Sequence, residues 1–213
     1  MMSKFLRFVA WTLFIAGTVI GLSRLTMIRW WQVPLGDPYL EASIAPTLRG
    51  GDWVILWRAT APGAGKLVLC PEPKAPQRQV IGRLMGVPSD HVELAGGRLT
   101  VNRQALETEG GCDAFRVNDP GTGQEVQLSC HREIVDGGTH LRGESQEALP
   151  KPKDASVDVP TDEVFLVSDN RQFPWDSREF GTVQRDTCGE TVVFRLLSKD
   201  GFFDVANRFT LIR

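Results

Sequence analysis

Ser43 is a serine that could act as a nucleophile, because it lies in a stretch whose backbone is conformationally restricted. It stands three residues before Pro46, and a proline favours an extended conformation for the residue that precedes it. A glycine-rich turn at 49–52 then leads into a strand-like run at 53–57. A serine hydroxyl is a poor nucleophile and needs a general base within hydrogen-bond reach. Taken alone, Ser43 is interpreted as a turn residue, and a catalytic role requires partners from other segments.

Three separated segments have residue types, an order and a spacing that are typical of one enzyme family. The first reads SIAPTL at 43–48 and is followed by Gly51 and Asp52. The second reads VIGRLMGVPSDHV at 80–92, and the third reads FLVSDNR at 165–171 and continues to DSREFG at 176–181. Together they resemble the bacterial type I signal peptidases over a span of about 31 to 193. Within that span, residues 106–160 match least.

The resemblance implies a membrane-bound serine endopeptidase that removes signal peptides from exported proteins. It further implies a mainly β fold of coiled antiparallel sheets behind an N-terminal transmembrane helix, with no metal and no organic cofactor. The β domain would lie on the outer, periplasmic or extracellular, face of the bacterial cytoplasmic membrane. Its partners would be the signal peptides of exported preproteins and membrane lipid, and not nucleic acid.

One departure from the family pattern affects the chemistry directly. Members of the family use a Ser–Lys dyad, in which the serine attacks the scissile carbonyl and a neutral lysine takes its proton. Ser43 matches the nucleophile, but Gly82 stands in the place of the lysine, immediately before Arg83. Glycine cannot accept a proton, and general-base assistance contributes about 10²–10⁴-fold. The base position is therefore expected to be vacant.

Two further departures agree with a changed site. Glu41 occupies the position where bacterial members carry a serine that helps to hold the oxyanion. A carboxylate beside Ser43 in this oxyanion region would repel the negative charge that develops during acyl transfer. Pro174 replaces the small hydroxyl residue that supports the lysine.

The charged residues of the second and third motifs are expected to hold the strands around the cleft and not to react. In particular, we expect Arg83 to contact Asp169. The predicted scaffold residues are Arg83, Asp169, Asn170, Arg171, Asp176, Ser177 and Arg178. By position in the family motifs, the pocket for small side chains at the cleavage site would be lined by Ile44, Ala45, Ile81 and Leu84.

Three functions remain open on these residues. The first is an active signal peptidase with an unconventional base, such as Asp176, a distant histidine or a water molecule near Gly82. The second is a catalytically weak or inactive relative that keeps the groove and binds exported or membrane segments. The third is a membrane-tethered β module for envelope interactions, in which Ser43 is structural. A lysine or histidine within about 4 Å of the Ser43 hydroxyl favours the first, and Glu41 at the oxyanion position favours the second.

The N-terminal segment is predicted to be a membrane anchor. Sixteen uncharged residues, 8–23, lie between Arg7 and Arg24 and would span about 24 Å as a helix. Flanking arginines can extend towards the head groups, which brings this length close to the roughly 30 Å hydrocarbon core. A cleavable secretory signal and a buried helix of a soluble protein are the alternatives. Charge does not fix the orientation, because basic residues flank both ends of the run.

The four cysteines contain no C-x-x-C pair, so neither a zinc ribbon nor a thioredoxin-type site is indicated. Cys112 and Cys130 flank a turn signal at 119–123, and a hairpin there would bring their sulfurs together. We therefore predict a Cys112–Cys130 disulfide. Cys70 and Cys188 form either a second pair or two buried thiols. A real bridge implies an oxidising compartment.

Composition describes a globular chain of mainly short strands. The 213 residues are 42% hydrophobic and 23% charged with a net charge of -2, which excludes collagen-like and disordered classes and gives no general attraction to nucleic acid. The predicted domains are an anchor at 1–29, a catalytic-type β domain at 30–105 and 161–213, and an inserted second lobe at 106–160. Six aromatic residues are expected either to rest on the bilayer or to pack in the core: Trp53, Trp57, Phe173, Trp175, Phe202 and Phe203.

Overall fold

The computed structural model describes residues 2–145 and 149–212, and it begins with the apolar helix α1 (Met2–Thr26). The part Lys4–Ser23 is long and apolar enough to cross a membrane, and none of it is buried against the rest of the protein. The side chain of Arg24, which bounds the predicted anchor, lies outside the described residues. The predicted helix is present, with the length that a membrane anchor requires.

The rest of the described chain is mainly β. The strands are β1 (Ile28–Gln32), β2 (Trp53–Trp57), β3 (Leu67–Glu72), β4 (Ala75–Gly86), β5 (His91–Ala95), β6 (Arg98–Val101), β7 (Gln104–Ala105), β8 (Thr108–Asn118), β9 (Glu125–Val135), β10 (Gly138–Glu144), β11 (Ala155–Asp158), β12 (Glu163–Val167), β13 (Val183–Gln184), β14 (Glu190–Leu197) and β15 (Thr210–Leu211). Two short α-helices, α2 (Pro38–Ile44) and α3 (Ser177–Phe180), and a 3-10 turn at Arg185–Thr187 complete the described elements.

These strands form three antiparallel sheets. The largest has the order β1-β2-β14-β3-β4-β12-β13, with β15 paired to β14. A second sheet has the order β10-β9-β8, and a third has the order β11-β5-β6-β7. An isolated bridge between Gly143 and Asn170 joins β10 to the segment that follows β12. The mainly β, antiparallel fold with an N-terminal apolar helix is therefore confirmed.

The sheet β10-β9-β8 lies wholly within the predicted insertion. Its strands β8 and β9 form a long hairpin in which Cys112 and Cys130 face each other across the strands and form a disulfide. This confirms the predicted pair, and Cys70 forms the second disulfide with Cys188. The later part of the predicted insertion behaves differently, because β11 pairs with β5. The division into an anchor, a β domain and a second lobe stays a prediction.

Helix α2 is the short element that carries Ser43. Asp37 caps its first turn by accepting a hydrogen bond from the Leu40 amide at 3.1 Å, and Pro38 stands at its first position. The helix ends where Ala45 becomes extended before Pro46. A helix of seven residues is too short to be stable alone, so α2 depends on contacts with the rest of the protein.

Two hydrophobic clusters hold α2 in place. On one side, Leu40 and Ile44 are buried in the same cluster as Ile81 of β4. On the other side, Ala42 and Ala45 pack in a cluster with four residues of the β8–β9 hairpin and with one aromatic residue of the third motif. These five residues are Phe115, Val117, Val126, Leu128 and Phe173. Burying a large aliphatic side chain contributes about 1.5–3 kcal/mol, so these contacts account for a helix that its length alone would not support.

Candidate active site

Ser43 lies in the last turn of α2 and not on the turn that we expected. Its side chain is 0% exposed, and its hydroxyl donates a 2.9 Å hydrogen bond to the carbonyl of Leu40. A serine inside a helix commonly bonds to a carbonyl of the preceding turn in this way, which satisfies the hydroxyl locally. In this arrangement the Ser43 hydroxyl is enclosed by protein.

The third motif supports α2 through one residue, Asn170. Asn170 donates from its backbone nitrogen to the Ser43 carbonyl at 3.0 Å and from Nδ2 to the Ala42 carbonyl at 2.8 Å. Asn170 is fully buried, so both bonds are shielded from water. The last carbonyls of a helix lack partners within the helix, and Asn170 satisfies two carbonyls at this end of α2. The first and third motifs therefore converge at Ser43.

A buried ion pair joins the second motif to the third. Arg83 donates from Nε and Nη2 to the two carboxylate oxygens of Asp169, each at 2.8 Å, which confirms the predicted contact. Thr47 adds a hydrogen bond to the same carboxylate at 2.5 Å. Burial alone would raise the pKa of Asp169, but the charge and hydrogen bonds of Arg83 outweigh it and lower this pKa. Thr47, which sequence reasoning missed, thus helps to hold a fixed negative charge.

Asp176, one of the bases considered above, is fully committed to the scaffold. Its carboxylate accepts two hydrogen bonds from the Arg178 guanidinium, at 3.0 and 2.7 Å. It also accepts from the backbone nitrogens of Arg178 and Ser168. Burial would raise the pKa of Asp176, but Arg178 and the amide donors hold it below its usual value. A carboxylate stabilised in its charged form is a weak proton acceptor, so this geometry argues against Asp176 as the base.

Ser177 and Arg171 also have structural partners. Ser177 Oγ accepts a hydrogen bond from the Leu166 amide at 2.9 Å, which ties α3 to β12. Arg171 donates to the carbonyls of Ser168 and Gly97 and forms an ion pair with Glu133. The predicted scaffold residues of the third motif are thus all buried and engaged.

Gly82 lies in the middle of β4, opposite Val68 of β3. A Cβ atom built on Gly82 would lie 3.0 Å from the Cβ of Leu166, closer than ordinary van der Waals contact. Leu166 is itself 0% exposed and belongs to β12, the strand beside β4. The space next to Gly82 is therefore occupied by Leu166.

Within the described part of the chain, the Ser43 hydroxyl has no basic hydrogen-bond partner. Across residues 2–145 and 149–212, its hydrogen bond is to the Leu40 carbonyl, and no lysine or histidine bonds to it. Lys153 donates a hydrogen bond to the carbonyl of Arg178, a residue of the third motif. Removal of a proton from Ser43 therefore has no evident acceptor in this arrangement.

Glu41 does not take the place beside Ser43 that we expected. Residues two apart on a helix point to opposite sides, and the Glu41 carboxylate accepts a hydrogen bond from the Gly36 amide at 2.8 Å. It also lies over Gly50, where an added Cβ would be 2.6 Å from Glu41 Cδ. The expected repulsion of an oxyanion is thus not supported, because Glu41 closes the loop before α2.

The predicted substrate pocket stays a prediction, and its four residues are buried in this arrangement. Ile44 and Ile81 are buried in the core cluster under α2, Leu84 lies in a second cluster, and Ala45 lies in the cluster against the hairpin. None of the four is more than 6% exposed. In this arrangement they are distributed over three clusters.

Sequence reasoning missed a set of buried charges contributed by the insertion. Glu133 of β9 forms ion pairs with Arg171 and with Arg142 of β10, and its Oε2 lies 3.2 Å from His140 Nε2. Burial would raise the pKa of Glu133, but Arg171, His140 and Arg142 lower it from 4.5 to about 2. His140 and Arg142 flank Leu141 in β10. Such alternation of polar and apolar residues usually indicates that the polar side of the strand faces solvent. Here the third motif covers that side, so the strand pattern could not reveal the contact.

A comparison with known families agrees with the motifs. The sequence model of the family described as signal peptidase, peptidase S26, matches residues 6–197. The crystal structure of a signal peptidase I from Enterococcus faecalis V583 is similar, with 18% sequence identity and a TM-score of 0.39. The similarity covers 62% of this chain and 97% of that chain. A comparison with curated proteins gives no match. Since the family match runs from α1 to the end of β14, this chain belongs to the signal peptidase family, peptidase S26.

Proposed function

We propose that this protein is a membrane-anchored member of the signal peptidase family that binds exported or membrane-inserted segments without hydrolysing them. The observation that carries the proposal is the state of Ser43, whose hydroxyl is fully buried and donates to the Leu40 carbonyl. The nucleophile of the family is thus matched in sequence, while its proton acceptor is replaced by Gly82.

The chemistry supports this choice over an active peptidase. Acyl transfer by serine needs a base that takes the hydroxyl proton as the carbonyl is attacked. Leu166 occupies the space beside Gly82, and Asp176 is stabilised as a carboxylate by Arg178. Losing a base that also activates the nucleophile reduces the rate by more than the usual 10²–10⁴-fold. An unconventional base would have to come from a rearranged state.

The partners that we propose follow from the family. Signal peptidases act on proteins that carry signal peptides, so the ligand would be an apolar exported segment. A single pass of α1 with the β domain on the outer face fits the two disulfides, because disulfides persist in oxidising compartments. In this proposal the bound segment and the β domain lie on the same side of the membrane.

Membrane lipid is a second proposed partner. Helix α1 ends at Thr26, and the chain passes directly into β1 at the edge of the largest sheet. Aromatic side chains near the C-terminus are exposed, with Phe202 at 54% and Phe203 at 91%. The Arg208 guanidinium lies 4.2 Å from the centre of the Phe202 ring. A cation beside an apolar surface suits the interface of a bilayer. By contrast, Phe173 and Trp175 pack against hydrophobic clusters.

A crosslinking experiment tests the proposed binding. The full chain in detergent micelles is mixed with a preprotein that carries a photoreactive residue in its signal peptide, and the crosslinked product is identified by mass. We expect a crosslink to the uncleaved preprotein, equal in the parent protein and in Ser43→Ala. A preprotein whose signal peptide is replaced by a charged segment is the control and is expected not to crosslink. No crosslink above that control would overturn the proposal in favour of an envelope module without this ligand.

A further inference from the structure

Two structural elements enclose Ser43, and we call them its walls. One wall is α2 itself, which packs on β4, and the other is the β8–β9 hairpin, which packs on Ala42 and Ala45. The hairpin is covalently closed by the Cys112–Cys130 disulfide, and β10 extends its sheet. Any polypeptide segment that reaches Ser43 must displace one of these walls, because Ser43 is 0% exposed.

The N-terminal end of α2 is joined to β4 by an ion pair with an arginine. Arg78 donates from Nε to Asp37 Oδ2 at 3.0 Å and from Nη2 to Asp37 Oδ1 at 2.9 Å. Asp37 is also the cap of α2, so the same carboxylate joins the helix start to β4. Bidentate pairs between arginine and a carboxylate are among the stronger hydrogen-bonded contacts in proteins.

This arginine belongs to a five-residue group, the latch cluster, that comes from separate segments of the chain. The latch cluster consists of Asp37, Tyr39, Glu72, Arg78 and Trp175. The Arg78 guanidinium lies 4.4 Å from the centre of the Trp175 ring, and Trp175 Nε1 donates to Glu72 at 3.2 Å. The Tyr39 ring lies 5.1 Å from the Trp175 ring, which adds a second contact from α2.

The latch cluster lies where water can compete with it. The side chains of Asp37 and Arg78 are 25% and 29% exposed, whereas Arg83 and Asp169 are each 1% exposed. The chain that leads into α2 at 34–36 is exposed and contains Gly36 with a φ of 83°. The opposite end of α2 is held by the buried Asn170. Opening at the N-terminal end breaks the partly exposed latch contacts and uncovers Leu40, whereas opening at the other end breaks the buried bonds to Asn170 and uncovers Ala42 and Ile44.

We propose that α2 is a hinged cover: release of Arg78 from Asp37 lets the N-terminal end of α2 swing out and gives a polypeptide segment access to Ser43. This inference rests on the proposed function, since the segment that enters is the exported ligand proposed above. It adds that ligand binding is gated by the latch cluster. The hairpin stays closed and forms the fixed wall.

Thiol labelling tests the cover without any ligand. The four native cysteines are all in disulfides, so Ser43→Cys introduces a lone thiol at the buried position. Its reaction rate with iodoacetamide is measured in the full chain without reductant. Adding Arg78→Met, which keeps a long apolar side chain over Trp175 and removes the charge, is expected to raise the rate about tenfold. The matched control, Arg116→Met, breaks the exposed Arg116–Glu125 pair on the hairpin and is expected to leave the rate within twofold.

Three results would overturn the cover. One is an unchanged rate with Arg78→Met. Another is a rate that rises with Val117→Ser in the hairpin and not with Arg78→Met, which would make the hairpin the moving wall. The third is a labelling rate that increases with urea as steeply as global unfolding does. Local opening exposes little surface, so the labelling rate should depend less steeply on urea than global unfolding does. The assay contains no exported segment, so its outcome is independent of whether the protein binds one.

Discussion

A Cβ atom on Gly82 would lie 3.0 Å from the Cβ of Leu166, and both residues are on paired strands of the largest sheet. The contact involves atoms next to the backbone, so rotation of the leucine side chain cannot remove it. Position 82, where the resemblance to the family predicts the proton acceptor, is therefore closely packed as well as without a side chain.

Gly82→Ala is expected to destabilise the protein by about 1–3 kcal/mol, because an added methyl group overpacks a buried site. Chemical denaturation measures the free energy of unfolding. The matched control is Gly189→Ala, where an added Cβ meets nothing within 4 Å, and we expect a change of less than about 0.5 kcal/mol. Equal effects of the two substitutions would show that Leu166 does not restrict this position.

The Arg83–Asp169 pair is expected to be needed for folding. Asp169→Asn leaves the fully buried Arg83 guanidinium without its counter-charge, which should destabilise the protein by about 3–5 kcal/mol. Glu125→Gln, in the exposed pair with Arg116, should change the free energy of unfolding by less than about 0.5 kcal/mol. A small effect of Asp169→Asn would contradict a scaffold role for this ion pair.

Acid is expected to destabilise the protein in two stages. Burial and the charge of Arg83 lower the pKa of His140 below 6.5, so the unfolded chain binds this proton more readily and stability falls as the pH drops below about 6.5. The pKa of Glu133 is about 2 in the folded protein against 4.5, so its contribution is full above pH 4.5 and is lost as the pH falls towards 2. The shift in the pKa of Glu133 corresponds to roughly 3 kcal/mol in the free energy of unfolding.

Urea denaturation at a series of pH values between 7 and 3 measures both stages. His140→Gln is the matched variant, in which the decline between pH 7 and 5 should become smaller while the decline below pH 4.5 remains. A free energy of unfolding that stays constant from pH 7 to pH 3 would contradict the buried positions of both groups.

The two disulfides are expected to contribute unequally. Cys70 and Cys188 are 118 residues apart, whereas Cys112 and Cys130 are 18 apart. Closing the longer loop restricts the unfolded chain more, so replacing Cys70 and Cys188 by alanine should destabilise by about 5 kcal/mol, against about 3 for the other pair. The reverse order in denaturation curves of the two double variants would contradict this account.

Much of the sheet framework could be predicted from the sequence, because its strands are apolar runs between turn signals. The strand-like run at 53–57 is β2, and the mainly short strands that the composition predicts are present. The Cys112–Cys130 hairpin followed from a turn signal midway between two cysteines. Helix α2 was not predicted, although Asp37 and Pro38 form the start signal of a helix, because seven residues are too few to show a helical periodicity.

The site could be predicted only in part. The resemblance to the family predicted the Arg83–Asp169 contact, because its motifs carry residues that meet in space. It could not show that Ser43 is buried, since that depends on the hairpin covering Ala42 and Ala45 from a distant part of the chain. Glu133 was missed for the same reason: its partner Arg171 is 38 residues away and lies in the segment that follows β12.

The most direct test of the central claim is whether the protein cleaves a preprotein. The full chain is incubated in detergent micelles with a preprotein carrying a signal peptide, and the intact mass of the preprotein is followed, with Ser43→Ala in parallel. We predict no cleavage product from either protein. A product that forms with the parent protein and is absent with Ser43→Ala would contradict the account, because it would require a base for Ser43 that this arrangement does not provide.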